Sequence, residues 1–310
     1  QDKRTQRNSK SGQFYPLATA AFVALGTVLA PPAIAQEVTA IPVAQRIELP
    51  EAPIKELGLA ARQRMLIARM AASHCLISAG VNPGENQQRY RRAQEEFATV
   101  HTALRDGDLS RDIKAEQNAR VLSAWHHLDT AWEALQAAYR GSPSQEDVKD
   151  LHVSTTRHAN DLVAEMRAAH ARKMGPQGMQ TALMVDLYQR QTMLSQSIIH
   201  QICRIYLQGE GDDSAQKALK ETLPVFEGSL QAFISGLPSA GVAPPQDAAL
   251  RGTLMDAARI WQDVAPLATQ IANDNAVNRA DVLTVLSRTE TFLPYMVEAA
   301  ELLRVPKERS

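Results

Sequence analysis

One helical segment occurs twice in this chain, and the repeat restricts the possible folds more than any other feature. Ala60–Gly80 has the sequence AARQRMLIARMAASHCLISAG, and a degraded copy, QRQTMLSQSIIHQICRIYLQ, occupies Gln189–Gln208. The copies align without a gap when Met65 is placed over Met193, a displacement of 128 residues. At this displacement the only two cysteines of the chain occupy the same position in both copies. The match indicates an internal duplication.

Both copies have the periodicity of a helix with a narrow packing seam. In the first copy the seam residues recur at alternating spacings of four and three, and they are Leu59, Gln63, Leu66, Met70, Ser73 and Ile77. Their counterparts in the second copy are Leu187, Gln191, Leu194, Ile198, Gln201 and Ile205. Both seams have a polar residue at the second and fifth places, so the duplication includes the interruptions of the apolar pattern.

The opposite face of the first copy carries small residues and one long cation. Its members are Ala61, Arg64, Ala68, Ala71, Cys75 and Ala79. Small side chains at helical spacing let another helix approach closely, so this face predicts a second packing surface. Arg64 either forms a salt bridge with a neighbouring helix or, if it is buried, binds a planar oxyanion with its guanidinium fork. Because Thr192 takes its place in the second copy, a site between the two faces would be asymmetric.

The composition favours a helical protein that does not bind nucleic acid. The 310 residues are 45% hydrophobic but only 5% aromatic, a balance typical of helical bundles rather than of β-sheets. Lys and Arg number 33 against 34 Asp and Glu, for a net charge of −1. This balance excludes the strongly basic surface that nucleic-acid binding requires.

The N-terminus has the three parts of a secretory signal peptide. Its basic region contains Lys3, Arg4, Arg7 and Lys10. An apolar run over residues 17–30 follows, and residues 33–35 (AIA) provide a small-x-small cleavage site. An uncleaved membrane anchor is the alternative, but the apolar run is shorter than the roughly 20 residues that span a bilayer. We therefore expect a signal peptide over residues 1–35 and a mature protein in the periplasm of a Gram-negative bacterium.

The two cysteines predict a disulfide. If the copies pack with their opening helices parallel, equivalent positions face each other, and Cys75 and Cys203 both lie on the proposed contact face. The oxidising periplasm then favours a bond between them. Two buried free thiols are the alternative.

Breaker-rich stretches divide the chain into units. We expect a linker over residues 36–50, a first four-helix bundle over 51–174, a boundary at 174–178 (MGPQG) and a second bundle over 179–306. The fold class that follows is all-α, with two tandem four-helix bundles that form a pseudo-dimer. The expected helices cover about residues 52–79, 86–105, 113–139, 147–173, 179–207, 214–235, a segment around Trp261, and 279–303.

No pattern in the chain predicts a cofactor, a metal site or an enzyme. His126, His127, His152 and His158 lack the spacing of metal ligands, and we expect them to be partly exposed helix residues. The Cys-x-x-Cys-His motif of covalent haem, the Glu-x-x-His motif of di-iron bundles, the Ser-His-Asp triad and the phosphate-binding loop do not occur as recognisable motifs.

The opening helix resembles a known family. The run Arg62-Gln63-Arg64-Met65-Leu66, followed by Arg69, is similar to the signature of the PilJ-type domain, the periplasmic N-terminal domain of type IV pilus methyl-accepting chemotaxis transducers. That domain is related to the sensor domain of NarX-type nitrate/nitrite histidine kinases. The family pattern is close to G-R-Q-R-M-L-S-Q-R. The first copy departs from it at Ala61, Ile67 and Ala68, and the second copy, over residues 190–196, keeps a different subset.

The resemblance implies a four-helix bundle for each copy and a ligand site between them. In NarX-like sensors the arginine before the methionine binds an anion across a dimer interface, and Arg64 matches that arginine. Thr192 is its counterpart, so two such arginines cannot meet within one chain. The candidate ligand-binding residues are Arg64 as the principal contact, Thr192 opposite it, and the nearby Arg62 and Arg190. Arg62 and Arg69 are also expected to pair with acidic residues of other helices.

We interpret the chain as a periplasmic sensory protein that binds a small anion, such as nitrate or nitrite, between the opening helices. We expect no kinase or methyl-accepting output region after Ser310, and we expect the signal to pass to a separate membrane-bound receptor or kinase. The alternative is a ligand-free helical adaptor that binds a membrane receptor or envelope protein, and the loss of arginine at Thr192 favours it. Neither hypothesis predicts an oligomeric state.

Overall fold

The computed structural model describes residues 51–304 except residues 142, 209–212 and 275. Within these residues the chain forms α-helices, two short 3₁₀ helices and no β-strand, so the prediction of an all-α fold is confirmed. The helices are α1 (Glu51–Ser78), α2 (Pro83–Asp106), α3 (Ala119–Arg140), α4 (Gln145–Gln208), α5 (Asp213–Ser235), α6 (Ala248–Gln262), α7 (Ala265–Asp274) and α8 (Arg279–Leu302). The predicted signal peptide and linker, residues 1–50, lie outside the described residues, as do residues 305 and 306.

Local chemistry ends α1 where the sequence predicts. Gly80 adopts a left-handed conformation with φ +67°. Its amide donates to the carbonyl of Ile77 (3.0 Å), and the amide of Val81 donates to the carbonyl of Leu76 (2.9 Å). This bond pattern is the Schellman cap, which satisfies the free carbonyls of the last turn. Pro83 then begins α2 at a position where its missing N–H costs nothing.

The expected break between the two units is a kink rather than a loop. We predicted a helix end near residue 173 and a new helix from 179, but α4 continues through this region. Only Gly175 leaves helical geometry, with φ 64° and ψ 179°. Glycine adopts this positive φ without a steric penalty, and Pro176 is acceptable in the first turn of the helix that follows. We refer to residues 145–174 and 176–208 as the first and second arms of α4.

Two other helix predictions need correction. The third helix was expected from about residue 113, but residues 109–118 form a 3₁₀ turn and a non-helical stretch, and Asn118 caps the helix that begins at Ala119. The helix around Trp261 is divided into α6 and α7. Pro266 explains this division, because proline lacks an amide hydrogen and its ring clashes with the carbonyl four residues earlier.

Two hydrophobic cores share α1 and α4. The first core is built mainly from α1, α2, α3 and the first arm, but it also includes Ala182 and Val185 of the second arm. The second core is built mainly from the second arm and α5 to α8, but it also includes Cys75 and Leu76 of α1. Both faces of α1 are therefore buried, as its two predicted packing surfaces require.

The second arm runs parallel to α1 and in register with the sequence repeat. A Cβ added at Gly58 would lie 3.0 Å from Cγ1 of Val185, 127 residues later in the chain. Cys75 and Cys203, which are 128 residues apart, form the predicted disulfide with their Cα atoms 6.1 Å apart. Because contacts at both ends have nearly the same offset, equivalent positions of the two helices face each other.

Several local structures recur at an offset of 129 residues, one more than in the opening helices. Leu109–Arg111 and Pro238–Ala240 are both 3₁₀ helices, and each is closed by an isolated β-bridge. The glycines that precede them, Gly107 and Gly236, both have positive φ, +87° and +80°. The corresponding aromatic pairs are also alike, with ring centroids 4.2 Å apart in Phe97–Trp132 and 4.3 Å apart in Phe226–Trp261.

The first polar residue of the seam, Gln63 or Gln191, makes a similar contact in both copies. Oε1 of Gln63 accepts a hydrogen bond of 3.1 Å from Nδ1 of His101 on α2. Its counterpart Gln191 accepts a hydrogen bond of 2.7 Å from Ser229 on α5. Both glutamines are buried, so each seam joins its second helix through a polar contact within the core.

Candidate functional site

Arg64 lies between α1 and the second arm of α4. It is only 4% exposed although it carries a full charge. Its Nη2 forms an ion pair with the carboxylate of Asp186 on the second arm. Nη1 donates to Oδ1 of Asn160 on the first arm (3.2 Å), and Nε donates to the carbonyl of Ala61 (3.1 Å). The guanidinium thus joins three helical segments.

The site contains more positive than negative charge. Burial lowers the pKa of Arg64, whereas the charge of Asp186 raises it. The positive charges of Arg190 and Arg167 lower this pKa further. Nη1 of Arg167 also lies 3.5 Å from Oδ2 of Asp186. Asp186 thus pairs with Arg64 and Arg167, and Arg190 is a third arginine close enough to act on Arg64. The surplus of positive charge would favour a bound anion.

Thr192 has a different environment from Arg64. Its side chain is fully buried, and its hydroxyl donates to the carbonyl of Gln189 (2.7 Å), within its own helix. In the repeat alignment Thr192 corresponds to Arg64, and Asp186 corresponds to Gly58. The equivalent of the Arg64–Asp186 ion pair is thus a threonine and a glycine, which cannot form an ion pair.

The other predicted arginines have different environments. Arg62 forms an ion pair of 2.5 Å with Glu96 on α2, so it belongs to a different face of α1. Arg69 pairs with Glu290 on α8, and this confirms the prediction that Arg62 and Arg69 satisfy acidic residues of other helices. Arg190 is exposed, but it lies close enough to influence the pKa of Arg64. The structure brings Arg190, and not Arg62, towards Arg64.

A charged cavity of about 380 Å³ opens between α1, α2 and α8. It is lined by Leu66, Arg69, Glu85, Gln88, Arg89, Arg92, Ala93, Glu96 and Glu290. Each of its three glutamates forms an ion pair with an arginine: Arg89–Glu85, Arg62–Glu96 and Arg69–Glu290. Part of the polar side of α2 therefore lines this cavity.

One histidine differs from its predicted environment. His126 and His127 are exposed and His158 is half-buried, as expected, but His152 is buried. A signal for this burial was present in the sequence. His152 recurs at spacings of four and three with other buried residues of the first arm: Val148, Thr155, Ala159 and Leu162.

Comparison with protein-family models covers the part of the chain that contains Arg64 and His152. Residues 56–157 match the PilJ family model. The family is described as the N-terminal region of type IV pili methyl-accepting chemotaxis transducers, and the match covers about a third of the chain. No curated protein matches the sequence.

The PilJ match covers most of the helices that form the first core. It extends from the first turns of α1, through α2 and α3, into the first arm of α4. This part of the chain is therefore similar to the N-terminal sensory region of chemotaxis transducers, a family that is not catalytic. Among the described helices, none is both long enough and apolar enough to cross a membrane.

Proposed function

We propose that the chain is a PilJ-type sensory protein whose second half, residues 179–306, is a degenerate second copy of the matched domain. The recurring 3₁₀ turns, the two Phe–Trp pairs and the parallel helices at nearly constant offset support a duplication. In this proposal α1 and the second arm are the opening helices of two four-helix bundles. The bundles form a pseudo-dimer within one chain.

The ligand of the proposed sensor is a small anion, such as nitrate or nitrite, and its site is the surroundings of Arg64. The observation that carries this proposal is the imbalance of one carboxylate, Asp186, against Arg64, Arg167 and Arg190. An anion would enter beside the more exposed Arg167 and Arg190 and compete with Asp186 for the guanidinium of Arg64. Thr192 is the residue of the second copy at the position of Arg64.

Binding at this site would change the relation between helices. Arg64 belongs to α1, Asn160 to the first arm and Asp186 to the second arm. Replacing the Asp186 contact with a ligand contact would therefore alter how α1 is held against both arms. We propose that a separate membrane-bound receptor or kinase detects this change on the periplasmic side.

Thermal unfolding with a panel of anions tests the proposal. The panel contains nitrate, nitrite, other small oxyanions and small organic acids at matched ionic strength. A specific ligand at a hundred times its dissociation constant adds about 2.7 kcal/mol of stability, which raises the midpoint by roughly 2–4 °C. We expect one anion class to give this shift.

Variants of exposed arginines connect the shift to the site. Arg190→Gln removes one of the surplus charges without changing a buried contact, so it should reduce the ligand-induced shift. Arg259→Gln is the matched control, because Arg259 is 71% exposed and pairs with Asp256 on α6. Equal reductions in both variants would mean that the anion acts through general charge screening, and the proposed site would be wrong.

A ligand-free adaptor is the second candidate, and the contacts of Arg64 favour it. Asp186, Asn160 and the carbonyl of Ala61 already satisfy this guanidinium without a ligand. An adaptor predicts a flat anion panel and binding of a membrane receptor or envelope protein through a helical face. It also predicts that Arg64→Ala leaves partner binding nearly unchanged, whereas the sensor predicts lost anion affinity.

A further inference from the structure

Five aromatic or imidazole side chains meet near the disulfide. We call them the histidine cluster: His74 on α1, Tyr90 on α2, Tyr139 on α3, His152 on the first arm and His200 on the second arm. Ring centroids are 4.8 Å apart for His74–Tyr139, 5.6 Å for Tyr139–His152 and 6.2 Å for His152–His200. His74 precedes Cys75 directly, so the cluster lies where α1 and the second arm are covalently joined.

His152 has one hydrogen-bonded and one unsatisfied nitrogen. Its Nε2 hydrogen-bonds the hydroxyl of Tyr139. Burial raises the pKa of Tyr139 far above its usual value, and the neighbouring Tyr90 raises it further, so this phenol keeps its proton. The hydroxyl therefore donates to Nε2, which places the imidazole proton on Nδ1. Among the described residues, Nδ1 of His152 and the hydroxyl of Tyr90 have no hydrogen-bond partner.

The surroundings of His152 disfavour a positive charge. Burial lowers its pKa well below the usual value, and His200 and His74 lower it further. The titratable groups facing it are His74 from α1, Tyr139 from α3 with Tyr90 of α2 behind it, and His200 from the second arm. Within the described part of the chain, no carboxylate forms an ion pair with His152, whereas the buried His101 has Asp129 at 2.5 Å.

The helices around the cluster are joined by different kinds of contact. The disulfide Cys75–Cys203 joins α1 to the second arm. The chain has no other cysteine, so apart from the backbone connection at Gly175, α3 and the first arm are held against this pair by non-covalent contacts. A charge at His152, which lies on the first arm, would act against those contacts. Tyr139 would also have to turn its hydroxyl hydrogen away and accept instead, because a protonated Nε2 can only donate.

We propose that the histidine cluster is an acid-sensitive contact, in which protonation of His152 loosens α3 and the first arm of α4 from the disulfide-linked pair of α1 and the second arm. The contact is fully stable above the pKa of an unfolded histidine, about 6.5. Its stability falls as the pH drops from that value towards the lower pKa of the folded state. The inference does not depend on an anion or on the adaptor alternative.

Amide hydrogen exchange of the full chain, corrected for intrinsic rates, tests the proposal. One proton taken up on opening lowers the protection factor by up to about tenfold per pH unit. Between pH 7 and pH 5 we expect this loss in peptides from α3 and residues 145–174, and a smaller loss in α5 to α8. His152→Gln should remove the local loss, because glutamine cannot take up the proton.

His158→Gln is the matched control, since His158 lies six residues further along the same arm and is half-buried. It should keep the local loss of protection. Equal protection at pH 7 and pH 5 in the wild type, or an unchanged loss in His152→Gln, would overturn the proposal. If His152→Gln does not fold, NMR titration of the wild-type histidine rings replaces it. The proposal then fails if His152 titrates at the ordinary value of about 6.5.

Discussion

The ion pair between Arg64 and Asp186 is the residue-scale feature at the centre of the proposed site. Only 5% of the Arg64 side chain and 13% of the Asp186 side chain are exposed. A buried ion pair contributes little net stability compared with apolar residues of the same size, because both charges lose their hydration. Removing one partner is far more costly, since the other charge stays buried.

A double-mutant cycle in urea should show this asymmetry. We expect Arg64→Met to lower the free energy of unfolding by about 2–3 kcal/mol, less than the usual maximum because Arg167 also faces Asp186. The double variant Arg64→Met/Asp186→Leu should return to within about 1 kcal/mol of the wild type. A double variant less stable than the single one would show that the pair itself stabilises the fold.

Some residue contacts could be predicted from the sequence, and others could not. The Cys75–Cys203 bond could be predicted because both residues occupy one position of a repeat whose helices are parallel. The partner of Arg64 could not, because Asp186 is 122 residues away and its counterpart in the first copy is Gly58. A repeat reveals what is shared between its copies, and this ion pair is a difference between them.

At the scale of elements, the kink of α4 depends on a single backbone conformation. Gly175 has φ +64°, and a Cβ added there would meet no atom within 4 Å. Gly228 in α5 would also meet nothing within 4 Å, but its φ is not positive. The same substitution should therefore have opposite effects at the two positions, with packing unchanged in both.

We expect Gly175→Ala to lower the free energy of unfolding by about 1 kcal/mol, because alanine is strained at positive φ. Gly228→Ala should raise it by about 0.5–1 kcal/mol, because alanine loses less backbone entropy in a helix. Urea denaturation of both variants measures the difference. Stabilisation by Gly175→Ala would mean that α4 can straighten at the kink.

Helix positions followed from periodicity, whereas helix connections depended on tertiary contacts. The ends of α1, α2, α5 and α8 lie close to the expected positions because glycine, proline and capping residues determine them locally. The late start of α3 depends on the bridge between Asp108 and Ile113, which pairs residues across a turn. Its repetition at Leu237 and Val242 is visible only in three dimensions, because the two turns share almost no sequence.

At the scale of the whole molecule, the disulfide closes a loop of 128 residues. In the chain-entropy model, a loop of this length restricts the unfolded state enough to stabilise the fold by about 5 kcal/mol. Urea unfolding of the wild type with and without reductant, and of Cys75→Ala/Cys203→Ala, measures this contribution. We expect the reduced protein and the double variant to unfold at similar, lower urea concentrations.

Unchanged midpoints under reducing conditions would contradict this expectation and would show that packing between α1 and the second arm is sufficient. An intermediate result has a physical explanation in the shared cores. Because α1 and α4 contribute to both cores, the two halves stay associated through buried apolar contacts after the bond is broken. The intact bond would then act mainly by limiting how far the unfolded chain can expand.

The covalent connection of the parallel helices also makes their pairing independent of protein concentration. Two separate chains that met through such helices would dissociate on dilution, because their association depends on concentration. Here both helices belong to one covalent chain, which keeps them at a fixed effective concentration. The fraction of molecules with the pair assembled is therefore the same in a cell that makes a few copies and in one that makes thousands.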